Sequence, residues 1–377
     1  MWKEYELGEL LTYEQPTPYI VESTDYSDSY KTPVLTAGKS FILGYTNEKK
    51  GVYTALPVII FDDFTTASQY VNFEFKVKSS AMKILTPNTA LVLPKFIYYR
   101  MQIIQFDSST HKRYWIQKYS KIKVLVPPLP DQERIVTRIE ELFSELDSGV
   151  ETLKKTKAQL AVYRQAVLKE IFEKSACHSR VYKIKDVCSD IKVGIVIKPA
   201  QYYTDSTTGV KAFRSANVRE FRINDSDWVY LTKEGHETNK RSEIHTGDVL
   251  IVRSGYPGTA CVVDEKHNGC NAIDILIAVP KTEIVLPEYL CAYTNSPLGR
   301  RLVSEKKRGV AQAHLNVSGY SKMEIIVPSI QEQKIMIEEI ESRLSVCDSI
   351  EMTIETALQE AEALRQSILK RAFEGGI

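Results

Sequence analysis

Apolar residues recur at heptad spacing in two long stretches of the chain. Ile139, Leu146, Leu153, Leu160 and Val167, each seven residues from the next, form an unbroken apolar row, the signature of a coiled-coil seam. The companion row four residues before it (Ile135, Leu142, Gly149, Thr156, Tyr163) is weaker. The second stretch has Ile340, Cys347, Ile354, Ala361 and Ile368 in the matching stronger row, with Met336, Arg343, Ile350, Ala357 and Leu364 in the companion row. The stretches are copies. A constant offset of 201 residues, without a gap, superposes 127–175 on 328–376 and matches Gln132 with Gln333, Asp147 with Asp348, Arg164 with Arg365 and Phe172 with Phe373. A helix over 131–174 is about 66 Å long at the α-helical rise, too long for one globular domain to cover, so its natural partner is the other copy. Antiparallel pairing would return the carboxyl terminus to the first globular region and create a pseudo-two-fold axis.

Four segments follow: 1–126 globular, 127–175 helical, 176–327 globular, 328–377 helical. In the first region KEYELGELL predicts a short strand or turn, and VLTAGKSFILGYTNEKKGVYT predicts strands broken at Gly38, Gly44 and Gly51. LPVIIF reads as a buried strand, and VNFEFKVK (71–78) alternates at the strand period. LPKFIYYRMQII reads as a helix with proline in its first turn, and KIKVLVP as the strand feeding the coiled coil. Region two repeats these landmarks in VYKIKDV, LPEYLCAYTN and YSKMEIIVP, while the sequences between them share almost nothing. The fold class is α/β (α+β): two sheet-bearing domains joined and separated by two long antiparallel helices.

Charge sharpens this picture. The net charge of +1 hides a sum of −6 on the helices (131–174 and 332–374) and +7 elsewhere. A basic excess off the helices suits a polyanion, and the acidic helices suit protein contacts. Six cysteines without a CxxC or a regular framework suit a reducing, cytoplasmic setting, and no signal peptide or long apolar run points to export or a membrane.

Catalytic chemistry finds no constellation. The sequence has no glycine-rich adenosyl loop with an Asn/Asp-Pro-Pro-aromatic run, no GxxxxGK[ST], no HExxH and no GxSxG. Cys261, His267 and Cys270 lie near one another, but a plain loop is the stronger reading than a metal site. What remains is binding chemistry. DDFTTASQ carries Thr65, Thr66 and Gln69, and SSTHKRYW carries His111, Lys112, Arg113 and Tyr114. Region two offers Arg214, Asn217 and Arg219 in RSANVR, then Arg253, Ser254 and Tyr256 in VRSGYPGT. KKRGVAQAH adds Lys306, Lys307, Arg308, Gln312 and His314. Arg, Asn and Gln can pair bidentately with base edges, while Lys, Ser and Thr suit phosphates. THKRYW and KKRGVAQAH stand out because each precedes the strand that enters a repeated helix. Tyr114 and Trp115 also read as core aromatics.

With VPPLPDQERIV and VPSIQEQKIMI at the strand-to-helix junctions, YRQAVLKEIFE and LRQSILKRAFEG at the helix ends, and GDVLIVRSGYPG in region two, the chain resembles the specificity subunit of type I restriction–modification systems. Asp131 stands where that family usually has Glu, which Glu332 supplies in the second copy, and PSIQ lacks the extra prolines of PPLP. The resemblance implies a non-catalytic reader of double-stranded DNA with two target-recognition domains, each binding one half of a bipartite site across a gap fixed by the helices. It implies two methyltransferase subunits and restriction subunits as partners, with S-adenosylmethionine, ATP and magnesium bound there and no cofactor on this chain. Alternatives are the specificity module of a fused restriction or phage-exclusion system, and a coiled-coil spacer holding two protein-binding heads.

Overall fold

The computed structural model describes residues 2–38, 40–109, 112–175, 179–305 and 315–374. Its contacts divide the chain into two units, 1–154 with 355–377, and 155–354.

The first unit opens with β1 (Lys3–Glu6), one helical turn α1 (Leu7–Leu10) and β2 (Leu11–Glu14). Six strands follow: β3 (Thr32–Leu35), β4 (Ile42–Thr46), β5 (Val58–Asp62), β6 (Ser68–Val71), β7 (Lys76–Val77) and β8 (Met82–Pro87). Helix α2 (Pro94–Met101), strand β9 (Lys123–Val126) and the long helix α3 (Leu129–Ser175) complete the sequence. An antiparallel sheet of order β2-β8-β5-β6 faces a smaller β4-β3-β7 sheet in which β3 and β7 run parallel. Val58 and Ile60 of β5 face one core cluster, with Leu35, Phe75 and Val77; Ile59 and Phe61 face the other, with α2 and α3. That period-two split is what a strand buried on both faces requires. Two expectations need correction. Gly44 lies inside β4 rather than ending a strand; a Cβ there would come 2.6 Å from the Cβ of Tyr26, so glycine lets that ring cover the strand. The 71–78 stretch is not one strand: Val71 closes β6, Phe75 bridges to Tyr53, and only Lys76–Val77 pairs with β3, so the segment passes from one sheet to the other.

The second unit contains β10 (Arg180–Lys183), α4 (Ile184–Val187), β11 (Cys188–Val193), β12 (Tyr203–Thr204), β13 (Val210–Phe213), β14 (Val218–Arg219), β15 (Arg222–Ile223) and β16 (Val229–Leu231). It continues through α5 (Lys233–Thr238), β17 (Val249–Val252), β18 (Ala260–Val262), β19 (Asn271–Ala272) and β20 (Ile275–Pro280). Helices α6 (Pro287–Asn295), α7 (Pro297–Glu305) and α8 (Val317–Ser321), strand β21 (Glu324–Val327) and helix α9 (Ile330–Phe373) finish it. Its sheets have the orders β11-β20-β17-β18 and β12-β16-β13-β19, with β13 parallel to β19. These correspond strand for strand to the first unit, β12 and the β14–β15 hairpin being additions. The common topology was invisible in the divergent middles.

Each repeated helix starts in the same way. Gln132 and Gln333 are fully buried at the strand-to-helix junctions. The Gln132 side chain accepts from Leu93 N and donates to Leu91 O and Pro127 O; Gln333 does the same with Leu286 N, Ile284 O and Pro328 O, all at 2.8–3.0 Å. Each amide thus fastens the helix start to the loop before α2 or α6. Within each unit the helical segments run antiparallel. Val167, Leu168 and Phe172 of α3 join Met336, Ile340 and Leu344 of α9 in the second unit's core. In the first unit Leu369 and Ala372 of α9 join Ile135 and Ile139 of α3, which brings the carboxyl-terminal end of α9 to the first globular region. The matched Asp and Arg residues of the repeat pair across helices: Arg164 with Asp348 at 2.6 Å, and Arg365 with Asp147. Burial favours the stronger heptad row. Ile139, Val167, Ile340, Cys347, Ile354 and Ile368 are buried and Leu146, Leu153, Leu160 and Ala361 half-buried, whereas in the companion row Ile135 and Met336 are buried and Gly149, Tyr163, Ile350 and Leu364 are exposed.

Candidate nucleic-acid interface

Antiparallel pairing places one set of strand ends of each four-stranded sheet at a common edge. In the first unit β5 ends at Asp62, β6 begins at Ser68 and β8 begins at Met82. The turn between β5 and β6 is shaped by Asp62, whose Oδ1 accepts from Phe64 N and Thr65 N at 2.9 Å. Thr66 takes a positive φ of 62° there. The next residue, Asp63, is buried beside Lys83, Nζ to Oδ2 3.5 Å, and Lys83 also donates to Gln15 Oε1 at 2.9 Å. Asp63 Oδ1 accepts from Tyr114 N at 3.0 Å and Trp115 N at 2.8 Å, and its carbonyl accepts from Tyr114 N. The segment carrying Lys112 and Arg113 is therefore anchored on the sheet edge, with both side chains exposed and Arg113 5.9 Å from the Phe64 ring centre.

The second unit has the same corner with its charges exchanged. β17 ends at Val252, β18 begins at Ala260, β20 begins at Ile275 and β11 ends at Val193. Arg253 follows β17 as Asp63 follows β5. Its guanidinium pairs with Asp274 at 2.5 Å and donates to Leu315 O at 3.1 Å, while its carbonyl accepts from Leu315 N at 3.1 Å. Leu315 immediately follows KKRGVAQAH in the sequence. The β14–β15 hairpin, with Arg219 and Arg222 exposed, joins this edge where Phe221 N donates to Ala260 O.

The structure treats the predicted residues unequally. Thr65 is exposed, and Thr66 and Gln69 are half-buried along the β5–β6 edge. Lys112, Arg113 and Arg219 are exposed, Tyr256 is 83% exposed, and Arg253 and Ser254 are half-buried at the same edge. Arg214 is half-buried and donates to Asp227 O at 2.7 Å. Two residues leave the set. Tyr114 is 2% exposed among core aromatics, its ring edge-on to Phe106. Asn217 is wholly buried: its Oδ1 accepts from Arg214 N, and its Nδ2 donates to Asn224 O and Ser226 O. Both side chains are spent on folding, not on a ligand. His111, Lys306, Lys307, Arg308, Gln312 and His314 lie outside the described residues. The sequence reading missed Asp63, Lys83 and Asp274, because a partner's identity depends on strand pairing that no local pattern reveals.

Among the described residues no group of three His, Cys, Asp or Glu side chains is arranged to hold a metal. Burial pushes the Cys261 thiol up to about 12 and the Cys270 thiol to about 11, so both stay protonated. His267 Nδ1 lies 2.6 Å from Asp264 Oδ1 while its ring stacks on Trp228.

Two units of one topology, each with a loop-bearing sheet edge and each built onto segments of the same two long helices, define the class of this protein: a duplicated α/β fold on a repeated helical scaffold. The family described as type I restriction modification DNA specificity domain matches residues 1–160 and 168–360, and the chain belongs to it. Among its relatives, the type I restriction enzyme EcoR124I/EcoR124II specificity subunit of Escherichia coli is 31% identical over 366 residues, covering 91% of this chain and 87% of that protein. The EcoBI specificity subunit of Escherichia coli is 26% identical over 274 residues, 66% of this chain and 57% of that one. A solved structure concerned with complex assembly and conformational transition of the type I R-M system aligns with a TM-score of 0.72 at 16% identity, covering 100% of this chain and 98% of that one, and shows the same fold. The chain is a DNA-sequence specificity subunit. The family is one of non-catalytic DNA-recognition subunits, whose members act with DNA and with methyltransferase and restriction subunits that carry the catalytic activities.

Proposed function

We propose that residues 1–126 and 176–327 each read one half-site at the sheet edge described above, and that the helices 127–175 and 328–377 set the gap between them. The observation that carries this reading is the shared corner, Asp63 anchoring Tyr114 and Arg253 anchoring Leu315, which holds different loops on one scaffold. Lys112 and Arg113 in one unit, and Arg219 and Arg222 in the other, supply the charge that phosphates require. The acidic helices suit docking of two methyltransferase subunits, one for each unit. S-adenosylmethionine, ATP and magnesium belong to the partner subunits on this reading. The buried, unpaired cysteines 188, 261, 270, 291 and 347 suit the cytoplasm.

The test uses the complex with its methyltransferase subunits. Replacing Lys112 and Arg113 together by Ala weakens binding to all sequences and lowers the slope of log K against log salt by about two. An unchanged slope removes this segment from the interface.

A further inference from the structure

At the reading edge of the second unit, two loops present large apolar side chains to solvent from tightly held backbone. Ile197 is 79% exposed and its neighbour Val196 51%, and Tyr256 is 83% exposed. Ile197 follows β11. The chain just before it is fastened to the sheet: Gly194 N donates to Ile275 O at 2.9 Å, Ile195 N to Ala272 O at 2.8 Å, and Asp274 N to Ile195 O at 3.1 Å. A Cβ on Gly194 would come 2.4 Å from Ala272 O, so the approach is as close as a glycine permits. Lys198 then takes a positive φ of 44°. Tyr256 follows β17, in a loop closed by Gly258 N to Val252 O at 3.0 Å and by Thr259 Oγ1 to Tyr256 O at 3.0 Å, with Gly255 and Gly258 at positive φ. The Arg253–Asp274 pair joins the two loop bases.

β11 and β17 are both neighbours of β20, so the loop bases are two strand spacings apart, about 10 Å. That is about three base steps at 3.4 Å each. Exposed aliphatic groups on restrained backbone next to an exposed lysine suit a surface that is both charged and apolar in patches. In the major groove the apolar feature of a base edge is the thymine C5-methyl group.

We propose that Ile197 and the Tyr256 ring read thymine methyl groups in the half-site of the second unit. Resting on the DNA reading above, this adds the chemical feature being recognised. Lys198 then neutralises a phosphate beside the contacted step, and the Tyr256 hydroxyl is dispensable.

The experiment measures DNA binding by the complex with its methyltransferase subunits, on the recognised site with each thymine in turn replaced by uracil, which deletes only the methyl. The wild-type complex loses about fourfold in affinity at one or two positions of one half-site, equivalent to about 0.8 kcal/mol for one buried carbon. Ile197→Ala binds the methylated site about fourfold more weakly and is indifferent to uracil at one of those positions, with unchanged melting temperature. Tyr256→Phe behaves as wild type, and Tyr256→Ala loses the second sensitivity. Uniform tolerance of uracil, a half-site without A·T pairs, or an Ile197→Ala chain that fails to assemble with its partner subunits would each overturn the proposal. Failure of the wild-type complex to select any sequence would instead overturn the DNA reading itself.

Discussion

Gln132 and Gln333 show how much one buried amide can organise. Each satisfies one N–H and two carbonyls that would otherwise be unpaired at a helix start, and an unsatisfied buried backbone group costs about 1–3 kcal/mol. Gln132→Ala should therefore lower stability by about 3 kcal/mol in denaturant unfolding, and Gln333→Ala by a similar amount; a loss under 1 kcal/mol would mean that water replaces the amide. Asp63 is a second such point. Its removal leaves buried Lys83 without its carboxylate partner and the Trp115 amide without its acceptor, while Tyr114 N keeps the backbone carbonyl, so Asp63→Ala should cost about 3–5 kcal/mol. Asp225 adds a pH dependence. Hydrogen bonds from Lys266, Trp228 and Lys211 hold its carboxyl well below the usual range. The stabilisation is present above the ordinary aspartate pKa, about 3.9, and is lost as the pH falls through that value toward the folded one. Thermal melts of wild type and Asp225→Asn should differ by a constant amount from pH 7 down to pH 5, and the difference should shrink steadily as the pH falls below about 3.9; a gap that does not shrink there would contradict this.

At the scale of elements, periodicity was informative where burial is one-sided. The stronger heptad row is the more buried of the two, while the weaker row is buried at Ile135 and Met336 and exposed at Gly149, Tyr163, Ile350 and Leu364. The prolines of LPKF and LPEY marked the starts of α2 and α6, with Pro94 and Pro287 at their first positions. Pattern failed where a segment changes partners: the alternation over 71–78 is real, but it serves two sheets in turn. It also failed for the candidate site. Asn217 and Arg219 are two residues apart, yet only Arg219 is exposed, since a 3-10 turn aims Asn217 at the loop's own carbonyls. The seam gives a direct test. Ile354→Ala should cost about 2–4 kcal/mol as a buried truncation, whereas Leu364→Ala, exposed in the weaker row, should stay within about 0.5 kcal/mol. Equal costs would show that the two rows share the packing.

For the molecule as a whole, the proposal that each unit reads one half of a divided site requires a fixed separation between the two. Both long helices contribute to both units, so one heptad added after Lys154 and one after Ile354 keeps the seam in phase and adds about 10 Å, close to three base pairs. The gap in the recognised sequence should widen while its two halves persist. The most direct test of the central claim is single-molecule sequencing of methylated adenines in cells carrying the complex. It would compare the wild-type chain, a chain altered at the first edge (Thr65→Ala with Gln69→Ala) and a chain altered at the second (Ile197→Ala). The account predicts a motif of two specified blocks around an unspecified gap, with the first alteration relaxing one block and the second relaxing the other. A continuous motif, or either alteration changing both blocks, would contradict it.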